Sequence, residues 1–197
     1  DESLTSRDLI AARDIEVGTG GLSIPDRPRE VAITADGNRA YVTLENSHSK
    51  AVVDTLMLRQ VDANPETEEM DMIALPPGAT PRELVISPDD NFVYIADRVL
   101  SSVYVVDINP NSQTYHQLVE IINVGEGKLR KLAISNDGKK LFVTSPLSQT
   151  PGKGSIHVIN IDTEDRPDET NPNTRKRLLL QLRKQIRWYL QIGQMML

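Results

Sequence analysis

Pro81-Arg82-Glu83-Leu84-Val85-Ile86-Ser87-Pro88-Asp89-Asp90-Asn91-Phe92-Val93-Tyr94-Ile95-Ala96-Asp97 has two near copies in the same chain. They are Pro28-Arg29-Glu30-Val31-Ala32-Ile33-Thr34-Ala35-Asp36-Gly37-Asn38-Arg39-Ala40-Tyr41-Val42-Thr43 and Leu129-Arg130-Lys131-Leu132-Ala133-Ile134-Ser135-Asn136-Asp137-Gly138-Lys139-Lys140-Leu141-Phe142-Val143-Thr144. Arg29 and Arg82 lie 53 positions apart, and Arg82 and Arg130 lie 48 apart. A period near 50 means one supersecondary unit per repeat. Each copy is two short β-branched runs around an acidic turn, the mark of a hairpin. Asp36-Gly37 and Asp137-Gly138 supply the residue that tolerates positive φ in a tight turn. Asp89-Asp90 departs from that pattern and calls for a related turn.

A third strand follows each hairpin, at Ala51-Val52-Val53-Asp54, at Val103-Tyr104-Val105-Val106-Asp107 and from Ile156 to Asp162. A fourth follows in two repeats, from Glu69 to Ile73 and from His116 to Ile121. Four antiparallel strands at this period describe a propeller blade. A two-sheet sandwich needs no repeating sequence. The fold class is therefore all-β: a partial β-propeller of about three four-stranded blades over 14–163. Residues 1–13 read as an N-terminal extension, and 13–18 as a spare outer strand. Residues 164–174 read as an acidic, Pro-rich linker.

These residues resemble the YVTN-type β-propeller repeat of bacterial and archaeal surface-layer and periplasmic proteins. The motif stands here as Tyr41-Val42-Thr43-Leu44 and Phe142-Val143-Thr144-Ser145, with Tyr94-Ile95-Ala96-Asp97 a looser copy. Members of that family have seven blades. The resemblance implies an extracellular, cell-surface or periplasmic protein. Three blades with a spare strand at one end and a missing one at the other imply a homo-oligomer, or further blades in a longer parent.

The chain has 197 residues and no cysteine, which removes disulfides, Cys-ligated metal and thiol chemistry together. A net charge of −6 disfavours nucleic acid as a partner. No apolar run reaches the roughly 18 residues of a membrane span. The first residue is Asp1, not Met, and no signal-like segment follows it, so the chain is read as processed or cut from something longer. Residues 175–197 change character: six basic residues occur there, and no acidic residue follows Glu169. Leu178, Leu182, Ile186 and Tyr189 recur at helical spacing. Three readings of this tail stand: a helix docking on the acidic propeller, a membrane-surface helix, or a non-native stretch read out of frame.

Arg29-Glu30, Arg82-Glu83 and Arg130-Lys131 sit at one point of each repeat. The resemblance puts that point near the channel mouth, because the first strand of such a blade is innermost. A charged ring there would bind an anionic or polar ligand; recurrence in every blade also suits a device that bridges blades. His48, in the loop Glu45-Asn46-Ser47-His48-Ser49, is the one histidine to test as a ligand contact. His116 and His157 read as partly exposed strand residues. Asp162, Glu164, Asp165, Asp168 and Glu169 are dense, but their spacing lacks the tight glycine turn of a calcium loop, and a solvated linker is expected. No metal, cofactor or catalytic constellation is read. The expectation is a non-enzymatic binding or scaffold propeller. The alternative is a lactonase-type propeller hydrolase acting on a sugar acid, since such enzymes carry similar blades with acidic residues, His and Arg at the channel.

Overall fold

A computed structural model describes residues 14–18, 26–47, 49–64, 70–125, 128–148 and 151–162. The described residues form three antiparallel sheets in chain order. Blade 1 comprises β1 (Pro28–Ile33), β2 (Arg39–Leu44), β3 (Ser49–Asp54), β4 (Arg59–Val61) and β5 (Ile73–Ala74). Blade 2 comprises β6 (Pro81–Ile86), β7 (Phe92–Asp97), β8 (Ser102–Asp107) and β9 (Leu118–Asn123). Blade 3 comprises β10 (Leu132–Ile134), β11 (Lys140–Ser145) and β12 (Ser155–Asn160). Each sheet is a meander, save that β5 pairs back to β3 beside β4, and β1 packs against β6 and β6 against β10. The first strand of every blade therefore lines a common axis, and the later strands fan outward.

The hairpins close by one local device. Thr34 Oγ1 donates to Asp36 Oδ1 at 2.6 Å, and the same carboxylate oxygen accepts the Asn38 amide at 2.9 Å. Ser87 with Asp89, and Ser135 with Asp137, repeat the contact. A hydroxyl and a carboxylate two residues apart thus satisfy turn N–H groups that no ladder reaches. The left-handed residue is Gly37 (φ 74°) in blade 1, Gly138 (φ 69°) in blade 3 and Asp90 (φ 53°) in blade 2. The departure in the second repeat is thus a change of residue at an unchanged backbone conformation, which a short acidic side chain tolerates.

Two apolar seams hold the blades together. Tyr41 and Val52 of blade 1 meet Leu84, Val93, Ile95, Tyr104 and Val106 of blade 2. Tyr94, Val103 and Val105, on the other face of blade 2, meet Leu132, Leu141 and Val143 of blade 3. Alternation along each strand sends side chains to both seams, so the middle blade is buried on both faces.

Several expected boundaries shift. Blade 1 has two short outer strands, both pairing with β3, where one strand ending at Ile73 was expected. The fourth strand of blade 2 starts at Leu118, because His116 sits in a turn at φ 60°. The described part of the spare outer strand, 14–18, is irregular; there the Gly18 amide donates to Gln60 Oε1 at 2.7 Å, a side chain rather than a ladder partner. The acidic linker, the basic tail and residues 1–13 lie outside the described residues.

Candidate functional site

The loops joining second to third strands, and the starts of the first strands, share one end of the molecule. That end carries the charged side chains of the repeated Arg-Glu position. Glu45 follows β2 and is buried. Its Oε2 accepts from Arg29 Nε at 2.6 Å and lies 2.5 Å from the second guanidinium nitrogen of the same arginine. Arg27 stands 4.0 Å from it, and Arg98 of blade 2 reaches its other oxygen at 3.7 Å. Burial alone would raise the Glu45 pKa, but the hydrogen bond and charge of Arg29, with Arg27 and Arg82 near, hold it below the usual carboxylate value.

A second cluster spans all three blades. Lys131 Nζ donates to both Glu83 oxygens at 2.7 Å and stands 3.8 Å from Glu30. Glu30 in β1, Glu83 in β6 and Lys131 just before β10 occupy the same place in successive repeats, and the axis brings them together. The hydrogen bond to Glu83 raises the Lys131 pKa, so this cation stays charged.

Repeat comparison shows where the pairing stops. Arg29 finds its carboxylate at Glu45, just past the second strand. The matching position is Arg98 in blade 2 and Pro146 in blade 3. Arg82 therefore faces a blade that offers a cation where blade 1 offers Glu45. Arg82 is half-buried and acts electrostatically on both Glu45 and Lys131; its carbonyl accepts from Thr43 Oγ1 at 3.2 Å, but its guanidinium has no hydrogen-bonding or ion-pair partner among the described residues. Arg130 is also half-buried, and its backbone amide bonds the Thr144 carbonyl at 2.9 Å. The sequence thus pointed to Arg29, Glu30, Arg82, Glu83 and Lys131, which meet at one end. It missed Glu45, Arg27 and Arg98. His48 lies outside the described residues.

Of the other two histidines, His157 is the partly exposed strand residue expected, in β12, whereas His116 sits in a turn. His116 Nδ1 lies 3.2 Å from the Ala63 carbonyl, so it carries the hydrogen, and Nε2 accepts from the Tyr41 hydroxyl at 3.2 Å. Burial pushes its pKa down to about 4. His157 is half-buried beside Ser155 Oγ at 3.1 Å, and burial lowers its pKa as well. Among the described residues no group of three or more His, Asp or Glu could hold a metal ion. None of their helices is long and apolar enough to cross a membrane.

The family model described as "Lactonase, 7-bladed beta-propeller" matches residues 19–171. The chain belongs to this family. The surface-layer resemblance thus gave the right kind of blade, while the family is the lactonase one. Three solved structures are similar to this lactonase-type chain. Hydrazine synthase of Kuenenia stuttgartiensis aligns over 73% of this chain and 35% of its own, at 24% identity and TM-score 0.56. A putative 6-phosphogluconolactonase of Bacteroides uniformis aligns over 71% and 38%, at 14% identity and TM-score 0.55. The periplasmic gluconolactonase of Pseudomonas aeruginosa aligns over 68% and 40%, at 18% identity and TM-score 0.47. The first two establish the propeller fold. The lactonase-type chain spans 35 to 40% of the length of these proteins. No curated protein matches it significantly.

Proposed function

We propose that this chain forms part of a lactonase-type site, and that its channel mouth binds a sugar acid or its lactone. The observation that carries the reading is Arg82, a half-buried guanidinium whose place in the repeat is matched across the blade by Arg98 instead of a glutamate. A guanidinium offers two parallel N–H donors to a carboxylate or phosphate. The same fork steadies a lactone carbonyl oxygen as it gains charge during ring opening. Arg98 is held only loosely by Glu45, at 3.7 Å. Glu30, 3.8 Å from Lys131, is the carboxylate least engaged at the mouth, and in this reading it is the group that accepts a proton from an attacking water.

The test uses the full chain with glucono-1,5-lactone, following acid release, and with gluconate by calorimetry. Hydrolysis above the spontaneous rate, reduced at least tenfold in Arg82→Ala, is expected. Lactone opening at the spontaneous rate together with no heat from gluconate would overturn the proposal. Gluconate binding without hydrolysis would move the reading to a non-enzymatic binding propeller. That second reading is favoured by Lys131, whose bonds to Glu83 tie blades together rather than face a ligand.

A further inference from the structure

Lys50, on β3, is fully buried. It stands opposite Thr43 in the β2–β3 register. The corresponding places are Val103 opposite Ala96 in blade 2 and Ile156 opposite Thr144 in blade 3. An amine thus occupies a position that is aliphatic in the other two blades. That position belongs to the seam between blades 1 and 2.

Among the described residues, the surroundings offer the amine no acceptor. Lys50 Nζ has no hydrogen-bond partner among the described residues, and it lies 4.7 Å from the centre of the Tyr41 ring. Ile73 of β5 pairs with Lys50 on the strand's other side. Among the described residues, the titratable and charged groups around the seam are few. From β2 come Tyr41 and Arg39, the latter 2.9 Å from Asp54. From blade 2 come His116, stacked on Tyr115 at 3.7 Å, together with Asp107 and Asp90. Asp107 is engaged by Ser112 and Thr114, and Asp90 accepts the Ala35 amide at 2.8 Å. Tyr104 donates to Asp97 at 3.0 Å. None of these carboxylates forms an ion pair with Lys50 among the described residues.

We propose that Lys50 is an acid-sensitive latch: as a neutral amine it seals the seam between blades 1 and 2, and taking up a proton parts them. An ammonium without acceptors in an apolar seam is strongly unfavourable. The face of Tyr41 compensates only part of that cost. Water entering the seam relieves the rest, and the seam opens. Burial accordingly holds the Lys50 pKa well below the ordinary lysine value. The closed state then holds fewer protons than the open one. Opening is favoured as pH falls from the ordinary lysine value, by tenfold per pH unit, until the buried amine itself is charged. Burial also pushes the pKa of His116 down, to about 4.

The experiment is amide hydrogen exchange from pH 9 to pH 6, corrected for the intrinsic rate, with peptides from β3 and β8 compared with β11. Lys50→Met fills the same space without charge, and Lys50→Arg is charged at every pH. The wild-type β3 and β8 amides should lose protection by up to tenfold per pH unit on acidification while β11 changes little. Lys50→Met should remove that dependence, and Lys50→Arg should leave the seam open throughout or fail to fold. The Lys50 side-chain Cε resonance should titrate below the other lysines. The proposal is overturned if Lys50→Met keeps the wild-type pH profile, if β11 loses protection in step with β3, or if the Lys50 resonance titrates with the rest.

Discussion

Asp97 ends β7 with its side chain fully buried, and four donors converge on it. The Thr80 amide donates to Oδ2 at 2.6 Å, and the Val99 and Leu100 amides donate to Oδ1 at 2.6 and 2.5 Å. The Tyr104 hydroxyl adds a fourth bond at 3.0 Å. Asp97→Ala strips all four partners at once. Each orphaned donor costs about 1–3 kcal/mol, and loop relaxation lets water reach some of them, so a loss of about 3–5 kcal/mol is expected. Tyr104→Phe removes one donor and leaves the carboxylate three, so about 1 kcal/mol is expected. Asp97→Asn keeps one acceptor oxygen and should fall between. Urea denaturation read by two probes, with the slope checked for constancy, supplies the numbers. The damage should reach the channel mouth, because Asp97 fixes the turn that carries Arg98 toward Glu45. The reasoning fails if Asp97→Ala lies within about 1 kcal/mol of wild type, or if Tyr104→Phe is as harmful as Asp97→Ala.

Three other outcomes follow from the same structure. Leu141→Ala empties a position buried between blades 2 and 3 and should cost about 2–5 kcal/mol in chemical denaturation, whereas Ile156→Ala, at a site 66% exposed, should change stability by less than about 0.5 kcal/mol. Glu45→Gln leaves Arg29 and Arg98 without their carboxylate, so stability should drop at neutral pH. Because the folded Glu45 pKa is depressed, the wild-type advantage is present above the unfolded pKa and lost as pH falls through the folded value; a gap between the two proteins that persists at acid pH would count against the pairing. Ile156 and Val158 lie on the outer face of blade 3, at places where blade 2 buries Val103 and Val105, so light scattering should show concentration-dependent association that Ile156→Asp weakens.

The blades were legible because their information is local. A hydroxyl residue, an acidic residue and a tight turn recur within five positions, and the β-branched runs on either side alternate with the pleat. The outer edge of blade 1 was less legible, since Arg59-Gln60-Val61 is too short and polar to announce a strand. The charged ends of the first strands could be found by aligning repeats, because symmetry about the axis brings equivalent positions together. Glu45 could not be found so, as Arg29 is 16 residues away and Arg98 belongs to another blade. Lys50 was hidden by a sound rule that fails here: a lysine in a strand is ordinarily on the wet face. Its one signal was the aliphatic residues at Val103 and Ile156 in the same column of the repeat.

The Ser/Thr–Asp hairpin has a kinetic consequence. Its bonds join residues two to five positions apart, and every sheet pairs strands that are neighbours in sequence, apart from the short β3–β5 pairing in blade 1. Contact order within a blade is therefore low, and each sheet can assemble soon after its own residues emerge during synthesis. Seams form only afterwards, one neighbour at a time, as in a linear array with nearest-neighbour coupling. Such a chain tolerates the gain or loss of whole blades during evolution better than cuts inside one, because a boundary between blades severs side-chain packing while a cut within a blade severs the backbone ladder itself.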